Sequence, residues 1–196
     1  MQIFFTSDLH FGHDNVIRFD GRPFSTVDDM DEELIKRWNA KVAEGDLVYV
    51  LGDLIWKSKN NAAPALLKRL NGSKILIKGN HDRFLHNAAA KKALAGLKDY
   101  DDISVTLADG TIRRCILSHY FIPFYNGNRY EAIHLHGHSH MTEEAAEEER
   151  IVKELNDKGY NLQVYNVGCM YWNYAPVTLD EILRNKMEKE NVGNTI

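Results

Sequence analysis

Apolar and polar positions along the chain follow two rhythms. Short runs of four to six mostly apolar residues alternate with stretches where apolar residues recur at helical spacing. Ile3–Thr6 is the first run and reads as a strand. From Val27 the apolar positions are Val27, Met30, Leu34, Trp38 and Val42, at steps of 3, 4, 4 and 4. That is one face of a long helix, with Ser25 and Asp28 as its capping pair. Leu47–Leu51 reads as a second strand. Pro64 suits a helical first turn, Leu66, Leu67 and Leu70 follow, and Gly72 stops that helix. Lys74–Lys78 is a third strand, and the Ala/Leu/Lys-rich stretch Arg83–Leu97 reads as a helix. Ile103–Leu107 and Ile112–Leu117 flank Ala-Asp-Gly and predict a hairpin. Ala132–His136 and Leu162–Val167 are further strands. Between them Thr142–Lys158 reads as a surface helix ended by Gly159. Thr178 with Glu181 three residues on is a capping-box pattern that opens a last helix. This alternation predicts an α/β fold with much parallel sheet.

Composition narrows the class. The chain has 196 residues, a formal net charge of −4, 44% hydrophobic and 27% charged residues. These values suit one globular domain over residues 1–196, with Asn191–Ile196 as a frayed tail, and they exclude a wholly disordered chain. Leu47–Leu51 is the longest unbroken aliphatic and aromatic stretch, far too short to span a bilayer. The opening MQIFFTSDLH lacks a basic region and a small-residue cleavage site, so it reads as a strand and not as a signal peptide. Two cysteines, Cys115 and Cys169, in apolar contexts make a reducing cytoplasm the simplest home. The mild negative charge argues against a general nucleic-acid binder. Of nine histidines, five fall between His119 and His140.

The ends of the strands carry the chemistry. The first strand is followed by Ser7-Asp8-Leu9-His10, the second by Gly52-Asp53 and the third by Gly79-Asn80-His81-Asp82. The run Cys115–Leu117 is followed by Ser118-His119, and Ala132–His136 by Gly137-His138-Ser139-His140. In α/β sheets the C-terminal edge of the strands is where sites form. Asp, Asn and His without a thiolate are ligands for hard to borderline cations. Each block alone is weak, since a Gly-Asp after a strand is commonly just a turn. The ordered set of D-x-H, GD, GNHD, H and GHxH is strong.

That set resembles the calcineurin-like metallophosphoesterases over nearly the whole chain. The segments SDLHFGHDNVI, MDEELIKRWN and YNVGCMYWNYAPVTLDEI further resemble a group of small bacterial and phage phosphoesterases. The resemblance implies a four-layer sandwich of two facing mixed β-sheets flanked by helices. It implies one metal on Asp8, His10, Asp53 and His140, and another on Asp53, Asn80, His119 and His138, with Asp53 bridging. It implies that His81 stays off the metals, beside the phosphate or the leaving oxygen. The implied activity is hydrolysis of a phosphate mono- or diester by in-line attack of a metal-bridging hydroxide. The residue chemistry agrees. Two divalent ions against two carboxylates leave net positive charge for a phosphate and a hydroxide. A bridging carboxylate holds two ions roughly 3.5–4 Å apart, as in-line displacement requires. The imidazoles and the Asn80 carbonyl favour Mn or Fe, with Zn as the third choice.

Other residues have plainer readings. Asp82 is expected to cap a loop or support a ligand. His134 and His136 are expected to be buried supports, and His86 a surface residue. His13 reads equally as a phosphate contact or a structural side chain. Arg18, Arg22, Lys57, Lys59 and Arg129 lie in loops near the blocks and are candidate phosphate contacts only. Tyr120, Phe121, Phe124 and Tyr125 wall a pocket or pack under a loop. The acidic helix is a lid or, by default, a solvated face.

The chain lacks the H-x-H opening of amidohydrolase-like enzymes and the H-x-H-x-D-H of metallo-β-lactamases. The run Leu54-Ile55-Trp56-Lys57 after Gly-Asp is unlike the V-D-R-G of serine/threonine protein phosphatases. The non-enzyme alternative is an interaction scaffold of the same fold that keeps its metals. The partner expected is a phosphate-ester substrate: a small molecule, a nucleotide or a nucleic-acid end. No membrane contact is expected.

Overall fold

The computed structural model describes residues 1–56 and 62–185. Two four-stranded sheets run through it, one from each half of the chain. In chain order the elements are β1 (Ile3–Thr6), α1 (Asp14–Phe19), α2 (Val27–Lys41), β2 (Leu47–Val50), α3 (Ala63–Arg69), β3 (Ser73–Ile77), α4 (Ala88–Lys92) and β4 (Gly96–Lys98). The second half gives β5 (Asp101–Thr106), β6 (Ile112–Leu117), β7 (Ile133–His136), α5 (Glu143–Asp157), β8 (Gln163–Asn166) and a helix, α6, described over 179–185. The first sheet has the order β1-β2-β3-β4 and the second β5-β6-β7-β8.

Strand alternation sorts the apolar side chains into three buried clusters, and these define the layers. Phe4, Val48, Val50 and Leu76 face outward from the first sheet onto Met30, Leu34 and Trp38 of α2 and Leu67 of α3. Their strand neighbours Phe5, Tyr49 and Ile77 face the other way, onto Cys115, Leu117, Ile133 and Leu135 of the second sheet. Ile116, pointing outward from β6, joins Ala132 and Leu162 beneath Val152 and Leu155 of α5. Helices, sheet, sheet and helix therefore stack as the expected four-layer sandwich.

The sequence-based expectations hold for most elements, and three are corrected. The four strands of the first sheet are all parallel, so only the second sheet is mixed: β5 and β6 form the antiparallel hairpin, while β6, β7 and β8 are parallel. One antiparallel bridge, Phe5 to Val177, extends the first sheet beyond β1. The cap of α2 sits one residue later than expected. Thr26 is extended (φ −138°, ψ 163°) and its hydroxyl accepts the Asp29 N–H, in place of a Ser25–Asp28 pair. Finally, Arg83–Leu97 is not one helix. A 3-10 turn spans Arg83–His86, and Asn87 then caps the short α4 through the Ala89 and Ala90 N–H groups. Residues 96–98 form an edge strand paired with Ile75–Ile77. Unpaired backbone groups at the edge of β3 outweigh the helix propensity of that segment.

The Thr178–Glu181 capping box is present: the Thr178 N–H donates to Glu181 Oε2 (2.8 Å) and the Glu181 N–H to Thr178 Oγ1 (3.3 Å). Cys115 and Cys169 are buried and unpaired, and burial pushes both thiols up to about 12. Among the described residues no helix is long and apolar enough to cross a membrane. Lys57, Lys59 and Asn191–Ile196 lie outside the described residues.

Candidate metal centre

The loops after β1, β2, β3, β6 and β7 converge at one edge of the two sheets. They bring together Asp8, His10, Asp53, His119 and His140. Asp8, His10 and His140 each offer a ligand atom within one cluster, and Asp8, Asp53 and His119 within another. Asp53 Oδ2 lies 3.6 Å from His10 Nε2 and 3.7 Å from His119 Nε2, so one oxygen stands between the two groups. Asn80 joins through its side-chain oxygen, 2.9 Å from His119 Nε2. His138 sits at the rim: its ring is 5.1 Å from that of His119, and its Nε2 is 3.9 Å from Glu144 Oε1. Its ring nitrogens fall in neither cluster.

The backbone is bent hard to reach this arrangement. Asp8 (φ 57°), His10 (53°), Asp53 (54°), His138 (71°) and His140 (48°) all lie in the left-handed region. Such a conformation costs an ordinary residue about 1 kcal/mol or more, less for Asp and His, and it collects at functional sites. A glycine before three of the five motifs makes room. A Cβ at Gly52, Gly79 or Gly137 would come inside 3.0 Å of His119, Asp53, or Ser7 and Asp8 respectively.

The donor chemistry fits cations. His119 donates from Nδ1 to the Leu51 carbonyl (2.7 Å), which leaves Nε2 as an acceptor facing the Asn80 oxygen. His140 donates from Nδ1 to Asp20 Oδ1 (2.7 Å), so its Nε2 points into the centre, 3.2 Å from His10 Nε2 and 3.5 Å from Asp8 Oδ1. Asp8 Oδ1 is buried with no hydrogen-bond donor. Carboxylate oxygens of Asp8 and Asp53 and imidazole nitrogens of His10 and His119 turned toward one another are what a divalent cation satisfies.

The electrostatics agree. Burial pushes the Asp8 carboxyl up, but the imidazoles of His140, His119 and His10 outweigh it and hold Asp8 below the usual carboxylate range. Burial raises Asp53. Burial drives His10 down to about 3, so it stays neutral with a free lone pair. Burial lowers His140 too, but Asp20 and Asp8 overcome it and hold that ring up to about 9, so without a cation its Nε2 carries a proton beside Asp8, which a bound cation would displace.

The supporting residues are partly as expected. The Asp82 carboxylate accepts the N–H groups of Asp53, Leu54 and Gly79 and knits two ligand loops together. His134 and His136 are buried and hydrogen-bonded to backbone, and His86 is exposed. Tyr125 is buried, while Tyr120 and Phe124 are exposed. The acidic helix α5 is not merely a solvated face: its Glu148 is buried, accepts from Ser139 Oγ (2.7 Å), and burial pushes its carboxyl up to about 7. Arg22 is not a phosphate contact. It is buried, and its guanidinium donates to the Asp8 and Leu9 carbonyls and to Asp20.

Asp20 is the residue that sequence reasoning missed. It sits in the loop after α1 inside a run of mixed polarity, and nothing in its spacing marks it; only the return of that loop under His140 does. Replacing Asp20 with Asn keeps an acceptor for Nδ1 but removes the charge that orients the ring. Outer partners of metal-binding imidazoles are worth about 10–100-fold in affinity. Asp20→Asn is therefore expected to weaken Mn binding by that factor, read by calorimetric titration, with the melting temperature of the metal-free protein little changed. Unaltered affinity would make Asp20 a partner of Arg22 alone.

Comparison with known proteins identifies the family. The family model for calcineurin-like phosphoesterases matches residues 1–186. The chain is 35% identical over its full length to the uncharacterized protein MJ1445 of Methanocaldococcus jannaschii, covering 96% of that protein. It is 31% identical to the Gene 66 protein of Mycobacterium phage D29, over 92% of this chain and 93% of that one. A crystal structure of protein AQ665 of unknown function from Aquifex aeolicus superposes with a TM-score of 0.68 at 25% identity, covering 93% of this chain and 97% of the other. The chain belongs to the calcineurin-like phosphoesterase family, whose members are metal-dependent phosphoesterases.

Proposed function

We propose that the protein hydrolyses a phosphate mono- or diester at a centre of two divalent ions. One ion would be held by Asp8, His10, Asp53 and His140, the other by Asp53, Asn80, His119 and His138. The observation that carries this reading is the position of Asp53 Oδ2 between His10 Nε2 (3.6 Å) and His119 Nε2 (3.7 Å). When bound, two such ions lower the pKa of water and offset charge on the phosphoryl oxygens. The chain's own residues bind, orient and donate. His119 and His140 are fixed as Nε2 ligands by Leu51 and Asp20. The His81 N–H donates to Asp53 Oδ1 (2.8 Å), and its ring lies 5.8 Å from that of His10. From there it protonates the leaving oxygen. Four imidazoles with an amide carbonyl suit Mn or Fe, with Zn next. The buried, unpaired cysteines support a reducing, cytoplasmic setting.

The test is hydrolysis of bis-p-nitrophenyl phosphate and p-nitrophenyl phosphate by Mn-loaded protein, with a chelator control and His81→Ala alongside. Turnover that the chelator abolishes is expected, and loss of a general acid should cost His81→Ala about 10²–10⁴-fold in kcat on esters with a poor leaving group. Failure to take up metal and to turn over either ester would overturn the reading. Metal uptake without turnover would favour the scaffold.

A further inference from the structure

Two groups of aromatic rings stand at opposite ends of the ligand cluster. At the His10 end, Trp56 stacks face to face on His13, with centroids 4.0 Å apart and planes 10° apart. The same ring leans on His81 at 4.5 Å and meets His10 at 6.2 Å. Phe19 stands edge-on to His13 and is 72% exposed. At the His119 end, Tyr120 lies 5.0 Å from the His119 ring and 4.5 Å from His138, and is 49% exposed. Asp53 Oδ2 lies between His10 and His119, so the two walls flank the candidate metal centre. Trp56 is half-buried, whereas the core aromatics Phe5, Phe11 and Trp38 are fully buried. Phe19 and Tyr120, large rings left in water at the two sides of one mouth, mark binding surfaces. Past Trp56 opens a pocket of about 630 Å³ lined by Arg83, His86 and Asn87. Arg83 and His86 are exposed and have no ion-pair partner among the described residues.

We propose that the two walls are subsites for the two arms of a phosphodiester of nucleotide type, one flat ring packing against the Trp56–Phe19 wall and the other on Tyr120. This rests on the metal-dependent esterase reading above and specifies its substrate. A monoester has one arm and would leave a wall idle. A diester fills both, and the polar pocket beyond Trp56 suits a nucleoside better than a bare arene. In the reaction the oxygen of water bonds to phosphorus and its proton goes to solvent. The bond to the arm on the Trp56 side breaks, and that oxygen takes its proton from His81. The products are one alcohol and one monoester.

The experiment compares bis-p-nitrophenyl phosphate with methyl p-nitrophenyl phosphate on Mn-loaded protein. Both release the same phenol, and only the first offers a ring to the second wall. A stacked ring is worth roughly tenfold or more, so Tyr120→Leu should lower the ratio of kcat/KM between the two esters by about tenfold, and Tyr120→Phe should keep it. Intrinsic reactivity cancels because the ratio is compared between variants. Trp56→Leu should raise KM for thymidylyl-thymidine about tenfold with little change in kcat. A collapse of kcat at constant KM would instead make Trp56 a support for His81 and overturn its half of the inference. Thymidylyl-thymidine against a ten-residue oligothymidylate separates a free dinucleotide from a nucleic-acid strand; cleavage of either supports the inference and cleavage of neither overturns it. An unchanged ester ratio in Tyr120→Leu also overturns it while leaving the esterase intact. Only the lack of metal-dependent turnover on every ester would bring down the underlying reading as well.

Discussion

Asp53→Asn is expected to abolish metal-dependent turnover, by about 10³-fold or more, in a protein that still folds. The magnitude follows from the position of this carboxylate. Its Oδ2 is shared between the His10 and His119 sides of the centre, so one substitution weakens two ions together. An amide also brings a donor toward a cation and removes one of the two negative charges that offset the ions. The fold should survive because the Asp53 side chain contributes little that an Asn cannot. Its Oδ1 accepts the His81 N–H, which an amide oxygen also does. Its ionised form is disfavoured by burial and by Asp8 nearby, so neutralising it relieves a cost. Metal content by elemental analysis, turnover of bis-p-nitrophenyl phosphate and the metal-free melting temperature separate these effects. Turnover at the wild-type level in Asp53→Asn would contradict the dinuclear arrangement. A large drop in the metal-free melting temperature would show that Asp53 holds the loops and not only the ions.

The second large effect is expected at Gly137, a residue with no chemistry of its own. A Cβ there would lie inside 3.0 Å of Ser7 Oγ and of Asp8 Oδ2. Neither neighbour can retreat. Ser7 is buried and donates to the Leu51 carbonyl, and Asp8 accepts the His138 N–H through the same Oδ2. Overpacking a fixed site costs about 1–3 kcal/mol, and a chain of this length loses roughly 2–4 °C for each kcal/mol. Gly137→Ala should therefore lower the melting temperature by about 5–10 °C and weaken metal binding at least tenfold, because the displaced carboxylate is the one proposed to hold a metal. Gly45→Ala is the control: nothing lies within 4 Å of a Cβ there. It should leave both measurements unchanged. If the two variants behaved alike, the close packing of the Gly137 loop on Asp8 would be excluded.

Both predictions concern a centre that the fold holds under strain. Five of the candidate ligand positions have left-handed backbone. Asp82 gathers three N–H groups from two loops, and Arg22 ties Asp20 to the Asp8 and Leu9 carbonyls. On the other side Glu148 of α5 reaches Ser139, between His138 and His140, and Tyr171 donates its hydroxyl to the His140 carbonyl. Buried polar groups with full partners can hold ligands in a geometry that the chain alone would not adopt.

What the sequence determined by itself is whatever depends on local spacing. The 3-4-4-4 run from Val27 to Val42 specifies α2 whatever it packs against, because a helix repeats every 3.6 residues. The Thr178–Glu181 pair specifies the start of the last helix, because both partners lie within one turn. The five blocks after the strands name the chemistry of the centre, since residue type decides what a side chain can ligate. Tertiary structure alone decided the rest. Arg83–Leu97 has helical composition, yet its end becomes an edge strand because β3 offers unpaired hydrogen bonds there. Arg22 reads as a surface base and is instead buried, because the loop after α1 folds back beneath Asp8. Asp20 meets His140 across 120 residues of chain, and Glu148 stands beside Ser139 only because α5 lies across the second sheet. Such partners are brought together by closure of the whole sandwich, and a contact between distant segments leaves no period in the sequence by which to read it.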